Sequence, residues 1–455
     1  MSDKQKIHFI AIGGSVMHNL AIALHQAGHA ISGSDDEIHE PSRSALSKHG
    51  LLPETLGWDT SKINENLDAV VLGMHALKDN PELLRAQELN IPVYSYPEFI
   101  QRLCTDKQRI VIAGSHGKTT ITALVLHVLQ FYKRKFDYII GARVEGLENT
   151  VKLSDDPIIV IEGDEYLSSA IDRVPKFLKY NHHMAVISGI AWDHANVFPK
   201  KEDYNKQFEL FANLTPKGGT LIFNSEDPLA NAIGKVERPD VQSIPYKAED
   251  YAVEAGAYYI KSADEPKLKI SLFGKHNMQN IAAARELLKK IGISSSQFYK
   301  ALPSFRGASG RLEVVSQSES FALFKDFAHA PSKVKATCEA VKSLYPKRSL
   351  VGCLELHTYS SLNKTFLPEY KDAMKACEQA IVFYNPAKVS QKKLEPLSDQ
   401  DIKSAFGSAT QVFISNTEME DHLAKLDWKN KNLLLMTSGN FDGLDFHQLA
   451  VNVKH

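Results

Sequence analysis

The sequence predicts an α/β protein of three domains, with a Rossmann-like domain at each end and a central α/β domain built around a glycine-rich loop. Short apolar runs alternate with stretches of helical length along almost the whole chain, and several runs end in glycine or acidic residues. A chain of 455 residues is also too long for a single hydrophobic core. We place the domains at residues 1–106, 107–309 and 310–455.

The first domain opens with a strand, a glycine turn, a helix and a second strand, at residues 7–12, 13–14, 15–28 and 30–35. This order is typical of a dinucleotide-type βαβ unit, in which an acid follows the second strand. The glycine fingerprint is incomplete, because Ala11 stands where a first glycine is expected. The turn could hold any pyrophosphate, with Asp35 accepting from a ribose or a base, or it could be a plain packing turn. Residues 68–73 and 91–94 are predicted strands.

The central domain opens with a strand at residues 109–112 and a helix at residues 121–129, joined by a glycine-rich loop. The loop reads Gly114-Ser115-His116-Gly117-Lys118-Thr119-Thr120. Strand, glycine turn, Lys-Thr and helix together predict a phosphate-binding loop, in which Lys118 reaches the β- and γ-phosphates and the Thr119 hydroxyl holds Mg²⁺. The spacing is a shorter variant, since Ile112 stands where the common loop has glycine. The alternative is an ordinary strand-to-helix turn.

Three carboxylates follow the next apolar strand, residues 157–161. Glu162, Asp164 and Glu165 would repel one another without a cation, and Mg²⁺ beside an ATP phosphate is the natural partner. A solvated acidic loop is the alternative. The strand at residues 184–190 likewise leads to Asp193 and His194, and another follows at residues 218–224. Residues 258–272 have an irregular β pattern, and residues 273–280 open a helix that runs over residues 281–290.

The third domain begins near Arg311 and alternates strands with helices, which predicts a second doubly wound unit. Pro331 fits the first turn of a helix. The predicted strands are residues 321–326, 350–355, 380–384, 411–414 and 433–436.

Composition excludes several classes of protein. The net charge of −1 gives no electrostatic reason to expect nucleic acid or an anionic membrane as partner. We find no secretory or membrane-spanning apolar run, and the four cysteines form no CxxC pair. We therefore expect a cytoplasmic enzyme with reduced, buried thiols.

The motifs taken together resemble the Mur ligase family, which builds the peptide of bacterial peptidoglycan. The resemblance covers almost the whole chain in order, and the combination is far more specific than any one motif. Beside the loop, the motifs are Ile12-Gly13-Gly14 with Met17, Gly33-Ser34-Asp35, Glu162-Gly163-Asp164-Glu165, Asp193-His194, Gly274-Lys275-His276-Asn277-Met278-Gln279-Asn280, Arg306-Gly307, Gly310-Arg311 and Asp326-Phe327-Ala328-His329.

The resemblance implies a UDP-sugar-binding domain, a central P-loop ATPase-type domain and a C-terminal acceptor domain. It implies an ATP- and Mg²⁺-dependent ligase that activates a carboxylate as an acyl phosphate, which an amine then attacks. By resemblance, Lys118, His194 and His329 are catalytic, and Thr119, Glu162 and His194 hold metal. The ATP-binding residues are Gly114, Ser115, His116, Gly117, Lys118, Thr119, Thr120, His276, Asn280, Arg311 and Asp326. The UDP-sugar-binding residues are Gly13, Gly14, Ser15, Asp35 and His75.

Within the family, the chain is similar to two kinds of ligase that act on UDP-N-acetylmuramate. Residues 165–166, 176–180, 193–199 and 326–329 resemble the recycling ligase, which adds the tripeptide L-Ala-γ-D-Glu-meso-diaminopimelate. Residues 356–360 resemble the ligase that adds L-alanine. We expect the tripeptide, with candidate carboxylate partners at Lys364, Lys388, Lys392 and Lys393, each of which could equally be a solvated surface lysine.

The sequence departs from the family pattern at three places. Ala11 and Ala330 replace a usual glycine and histidine, and Gln207-Phe208-Glu209 stands where several members have a carbamoylated lysine, so we expect none here. A P-loop ATPase that drives conformational change, or an inactive sugar-nucleotide sensor, would each explain only part of the motif set. The oligomeric state stays open.

Overall fold

The computed structural model describes residues 4–254, 256–261, 267–308 and 311–453. They form two compact units. The first contains the residues up to Ile190 together with Asn205–Pro245, and the second contains Ala191–Tyr204 and the residues from Tyr246 onward. Across these ranges, every helix falls short of the length and apolar character needed to cross a membrane.

A four-stranded parallel sheet begins the first unit. Its strands are β1 (Lys6–Ile10), β2 (Ala30–Ser34), β3 (Ala69–Leu72) and β4 (Val93–Ser95). The helices are α1 (Met17–Gln26), α2 (Ser42–Lys48), α3 (Pro81–Glu88) and α4 (Tyr96–Leu103). The strand order is β2-β1-β3-β4, so the buried apolar strand β1 lies between β2 and β3. Parallel pairing brings the carboxyl ends of these strands to one edge of the sheet.

A seven-stranded sheet completes the first unit, in the order β11-β10-β9-β5-β8-β6-β7. The strands are β5 (Gln108–Ala113), β6 (Asp137–Ile139), β7 (Val151–Lys152), β8 (Ile158–Glu162), β9 (Met184–Ile187), β10 (Thr220–Asn224) and β11 (Gln242–Tyr246). The helices are α5 (Lys118–Phe131), α6 (Lys176–Lys179), α7 (Lys201–Asn213) and α8 (Pro228–Gly234). Strand β5 pairs in parallel with both β9 and β8, which explains its continuous apolar sequence.

A three-stranded antiparallel sheet opens the C-terminal part of the second unit. It contains β12 (Tyr251–Glu254), β13 (Ala257–Ile260) and β14 (Leu268–Ile270), followed by α9 (Lys275–Lys290) and α10 (Ser295–Ala301). Strands β13 and β14 lie in the irregular β region predicted at residues 258–272, and β12 was not predicted. Helix α9 already begins at Lys275, so the predicted helix-opening motif forms its first turns.

A six-stranded sheet ends the chain, in the order β15-β16-β20-β17-β18-β19. The strands are β15 (Glu313–Gln317), β16 (Phe321–Asp326), β17 (Ser349–Leu356), β18 (Gln379–Tyr384), β19 (Gln411–Phe413) and β20 (Lys431–Met436). The helices are α11 (Pro331–Leu344), α12 (Pro386–Gln391), α13 (Asp399–Phe406), α14 (Asn416–Ala424) and α15 (Phe446–Asn452). All pairs are parallel except β15–β16.

The predicted α/β class is confirmed, and each of the three larger sheets lies within one predicted domain. The boundaries at residues 106/107 and 309/310 stay predictions, and Gly310 of the Gly310-Arg311 motif lies outside the described residues. The thiols are free, but the prediction of four buried cysteines is wrong for Cys377, which is half-buried just before β18.

Candidate active site

The glycine-rich loop leaves β5 at the middle of the seven-stranded sheet and leads directly into α5. Gly114 has φ +137°, and a Cβ there would lie 2.0 Å from the Ser188 hydroxyl oxygen, so only glycine fits. The Ser115 N–H donates to the Gly189 carbonyl at 2.9 Å. Gly117, at φ +82°, is the N-cap of α5 and offers no side chain to the first turn. The loop is therefore anchored to the segment after β9 and presents a helix N-terminus.

Lys118 and Thr119, at the start of α5, each contact a carboxylate at or just after the end of β8. The Thr119 hydroxyl donates to Glu162 Oε1 at 2.6 Å, and the Gly141 N–H donates to Glu162 Oε2 at 2.7 Å. The Lys118 ammonium donates to the Gly114 carbonyl at 2.6 Å and to Glu165 Oε2 at 2.7 Å. Burial opposes the charge of Lys118, but the nearby carboxylates, Glu165 first, raise its pKa above the ordinary value.

Two of the three carboxylates near the predicted metal site have lysine partners. Asp164 accepts from Lys176 at 2.6 Å, and Glu165 pairs with Lys118. Ammonium groups therefore already offset part of the repulsion between these two carboxylates, and a metal in this region stays a prediction. Glu162 retains the donor set that Mg²⁺ prefers, since its carboxylate oxygen and the Thr119 hydroxyl oxygen lie side by side.

The residues predicted to bind the UDP-sugar follow the carboxyl ends of β1, β2 and β3, which are neighbours in the first sheet. Gly13, Gly14 and Ser15 follow β1, Asp35 follows β2, and the exposed His75 follows β3. The Gly13 N–H donates to Asp35 Oδ2 at 2.7 Å. Burial raises the pKa of Asp35. The topology thus brings these residues to one edge, where open α/β sheets bind ligands.

Ala11 explains the incomplete glycine fingerprint. Its φ of +65° is in the left-handed region, which favours glycine, and both its N–H and that of Ile12 donate to the Ser34 carbonyl. The usual glycine turn is therefore kept here with an alanine. A Cβ on Gly73 would approach the Ala11 Cβ to 2.9 Å, so the glycine directly after the neighbouring strand β3 leaves room for the Ala11 side chain.

The segment that contains His194 belongs to the second unit. Asp193 accepts the His194 N–H at 2.8 Å and the Lys333 ammonium at 3.3 Å, while the Ala195 N–H donates to the Ser360 hydroxyl at 3.0 Å. His194 has φ +55°, an uncommon conformation for a residue other than glycine. Burial favours the neutral form of Asp193, but Lys333, His194 and His329 outweigh it and lower the pKa of Asp193.

His329 lies in the same charged cluster, between β16 and α11. Its Nδ1 is 2.9 Å from the Phe327 carbonyl, which can only accept, so Nδ1 carries the proton and Nε2 is left as an acceptor. Burial, followed by the charge of Lys333, lowers the pKa of His329 to about 4. The imidazole is therefore neutral at pH 7.

Four of the predicted ATP-binding residues also lie in the second unit. His276 and Asn280 are on the first turns of α9, where burial lowers the pKa of His276 and Asp326 opposes this shift. Asp326 accepts the N–H groups of Leu312 and Phe327 and the Thr337 hydroxyl. The Arg311 guanidinium lies 4.8 Å above the Phe327 ring centre.

The sequence analysis missed two charged residues, Lys333 and Glu355. Lys333 lies in the first turn of α11, where a cation opposes the helix dipole, and that unusual placement was the available signal. Glu355, at the end of β17, is buried and accepts the Phe441 N–H at 2.8 Å and the Thr437 hydroxyl. His357 approaches Glu355 to 3.5 Å. Glu355 thereby links the loops after β17 and β20.

These features define an α/β protein with the strand, glycine-rich loop and helix geometry that is typical of phosphate-binding loops, and with charged side chains at the carboxyl ends of its strands. Family models match the chain at residues 6–108, described as the Mur ligase family catalytic domain, and at residues 112–288, described as the Mur ligase middle domain. UDP-N-acetylmuramate–L-alanine ligase of Caldicellulosiruptor bescii is 31% identical over 389 residues, covering 83% of each chain.

Two further comparisons extend the match. The Escherichia coli UDP-N-acetylmuramate–L-alanyl-γ-D-glutamyl-meso-2,6-diaminoheptandioate ligase is 28% identical over 346 residues, covering 74% of this chain and 75% of its own. The crystal structure of UDP-N-acetylmuramate–alanine ligase from Thermotoga maritima shares the fold, with a TM-score of 0.70, 20% identity and 96% coverage of both chains. The protein is thus an ATP-dependent ligase that forms amide bonds. It belongs to the Mur ligase family of peptidoglycan ligases.

Proposed function

We propose that this ligase joins UDP-N-acetylmuramate to the tripeptide L-Ala-γ-D-Glu-meso-diaminopimelate, a reaction of peptidoglycan recycling. One observation supports a ligase that activates a carboxylate. Lys118, Thr119 and Glu162 lie together at the ends of two neighbouring strands. The E. coli relative, named for the tripeptide, supports the acceptor. So do the separate stretches of sequence at residues 165–166, 176–180, 193–199 and 326–329.

A carboxylate at neutral pH is a poor electrophile, so the donor carboxylate would first take the γ-phosphoryl group of ATP. ADP leaves, and the resulting acyl phosphate is attacked by the acceptor amine, which loses a proton as phosphate departs. Lys118 and the loop N–H groups stabilise the charge that moves onto the bridging oxygen. Thr119 and Glu162 would hold Mg²⁺, which neutralises phosphate charge when bound. The neutral His329 can accept a proton at Nε2.

The remaining predicted residues would bind the two substrates. Gly13, Gly14, Ser15, Asp35 and His75 would contact the UDP-sugar at the edge of the first sheet. In the second unit His276 and Asn280 would contact adenine, Arg311 and Asp326 would contact ATP, and His194 would hold a second metal.

A second candidate is the addition of L-alanine to the same donor. The C. bescii relative is named for this reaction, and residues 356–360 resemble that ligase. Among the lysines expected to bind acceptor carboxylates, Lys364 pairs with Asp401 at 2.9 Å, which leaves it less suited to a ligand. Lys388, Lys392 and Lys393 stay candidates on and after α12.

The deciding experiment compares both acceptors with UDP-N-acetylmuramate as donor, by phosphate release and product mass under identical conditions. We expect a clear preference in kcat/KM for the tripeptide over L-alanine. Efficient use of L-alanine with no use of the tripeptide would assign the enzyme to the second candidate. Phosphate release without donor or without acceptor would point instead to an uncoupled ATPase, and no release with both present would point to a sensor.

A further inference from the structure

A connected group of three carboxylates and two ammonium groups lies at the phosphate loop. Lys118 and Lys176 face the carboxylates of Glu162, Asp164 and Glu165, and all three carboxylates act on the charge of Lys118. This group of five therefore carries one net negative charge. Such a balance is unexpected around a loop whose task is to bind polyphosphate, because like charges repel.

Glu165 is the carboxylate of this group that pairs directly with Lys118. Its side chain is only 1% exposed, that of Lys118 is 15% exposed, and the two charged atoms are 2.7 Å apart. Water screens a pair in this position poorly, so the carboxylate largely cancels the attraction of Lys118 for an approaching anion. Asp164 differs, because its partner is Lys176, which is not part of the loop.

We propose that Glu165 determines the specificity of the loop for magnesium-bound nucleotide over free anions. A metal-free phosphate or pyrophosphate must compete with Glu165 for the Lys118 ammonium. In a magnesium-bound nucleotide the positive charge of the metal offsets part of the repulsion between the carboxylates and the phosphates. The same competition lowers the affinity of the loop for the phosphate that the reaction releases. This inference rests on nucleotide binding at the loop as proposed above.

The test is a calorimetric binding measurement with the full chain, using pyrophosphate without magnesium and ADP with magnesium. In Glu165→Gln, which keeps the size and an acceptor oxygen, we expect pyrophosphate to bind about tenfold tighter, since one opposing charge is removed. The affinity for magnesium-bound ADP should change much less. Glu165→Asp keeps the charge and should restore the discrimination of the wild type.

Asp164→Asn is the matched control, because it removes one carboxylate from the same group and leaves the Lys118–Glu165 ion pair in place. It should tighten pyrophosphate binding far less than Glu165→Gln, and an equal effect would overturn the proposal. Unchanged or weaker pyrophosphate binding by Glu165→Gln would also overturn it, and weaker binding of magnesium-bound ADP alone would make Glu165 a metal ligand. If the wild type bound no magnesium-bound ADP, the assignment of the loop itself would fail, and this inference with it.

Discussion

At the scale of single residues, Lys118 would supply the positive charge that the proposed mechanism needs at the transferred phosphate, and its removal should be the most damaging change in the loop. In Lys118→Ala we expect a loss of transition-state stabilisation on the order of 3 kcal/mol or more, which corresponds to more than a hundredfold in kcat/KM. Binding of UDP-N-acetylmuramate should be retained, since its proposed residues lie in another sheet. Steady-state kinetics and donor titration together measure both effects.

The control for this variant addresses stability. Lys118→Ala leaves the buried Glu165 carboxylate without its cation, which destabilises a protein independently of catalysis. The double variant Lys118→Ala/Glu165→Gln removes both charges and should regain stability while staying inactive. Normal turnover by Lys118→Ala would refute the assignment of the loop.

Residues of the loop could be predicted because their chemistry depends on near neighbours in sequence. Gly114, Lys118 and Thr119 lie between a strand and a helix that the apolar pattern already marks. Lys333 could not be found in this way, since its partner Asp193 is 140 positions away. The lysine partners of Asp164 and Glu165 were missed for a related reason, because composition shows that charges exist but not which of them meet.

At the scale of elements, a buried histidine just before β9 should make the stability of the protein depend on pH. His182 is 1% exposed, its Nε2 lies 2.9 Å from the Thr215 hydroxyl, and its ring packs 4.4 Å from that of Phe211. Burial lowers the pKa of His182 to about 3. In the unfolded chain the pKa is about 6.5, so only the unfolded state takes up the proton between these values.

The free energy of unfolding should therefore fall as the pH is lowered below about 6.5, by at most about 1.4 kcal/mol per pH unit from this residue. His182→Gln cannot take up that proton, so the difference between wild type and variant should be constant above pH 6.5 and shrink below it. Urea unfolding at several pH values from 5 to 8 measures the difference. A constant difference throughout would contradict the prediction.

Strands with continuous apolar sequences were predicted well, and the edge strand β15 was missed. Strands β5, β8 and β9 are buried by neighbours on both sides, so their sequences are apolar runs. Strand β15 pairs on one side only, in antiparallel fashion, and its side chains are exposed or half-buried. Its mixed sequence therefore gave no strand signal.

At the scale of the whole molecule, the division into two compact units predicts that unfolding is not a single transition. The three tryptophans allow each unit to be followed alone, since Trp58 is in the first unit and Trp192 and Trp428 are in the second. The fluorescence of Trp58→Phe reports the second unit, and that of the double variant Trp192→Phe/Trp428→Phe reports the first. We expect different denaturation midpoints from the two.

Circular dichroism of both variants controls for the substitutions themselves, above all at Trp428, which is 2% exposed in a hydrophobic core. Each variant should show the same two steps by dichroism, with fluorescence following one of them. Fluorescence and dichroism curves that coincide in both variants would mean that the units unfold together.

The assignment of residues 191–204 to the second unit has a consequence for how the chain is made. Asp193 leaves the ribosome 140 positions before Lys333, and Ala195 leaves it 165 positions before Ser360. The strands around the phosphate loop are all synthesised by Tyr246, so a growing chain can complete that loop early. The segment that contains His194 gains its contacts later, because Lys333 and Ser360 are synthesised after the loop. Completion of the Asp193 and Ala195 contacts therefore depends on translation of the C-terminal part of the chain, not on folding of the loop.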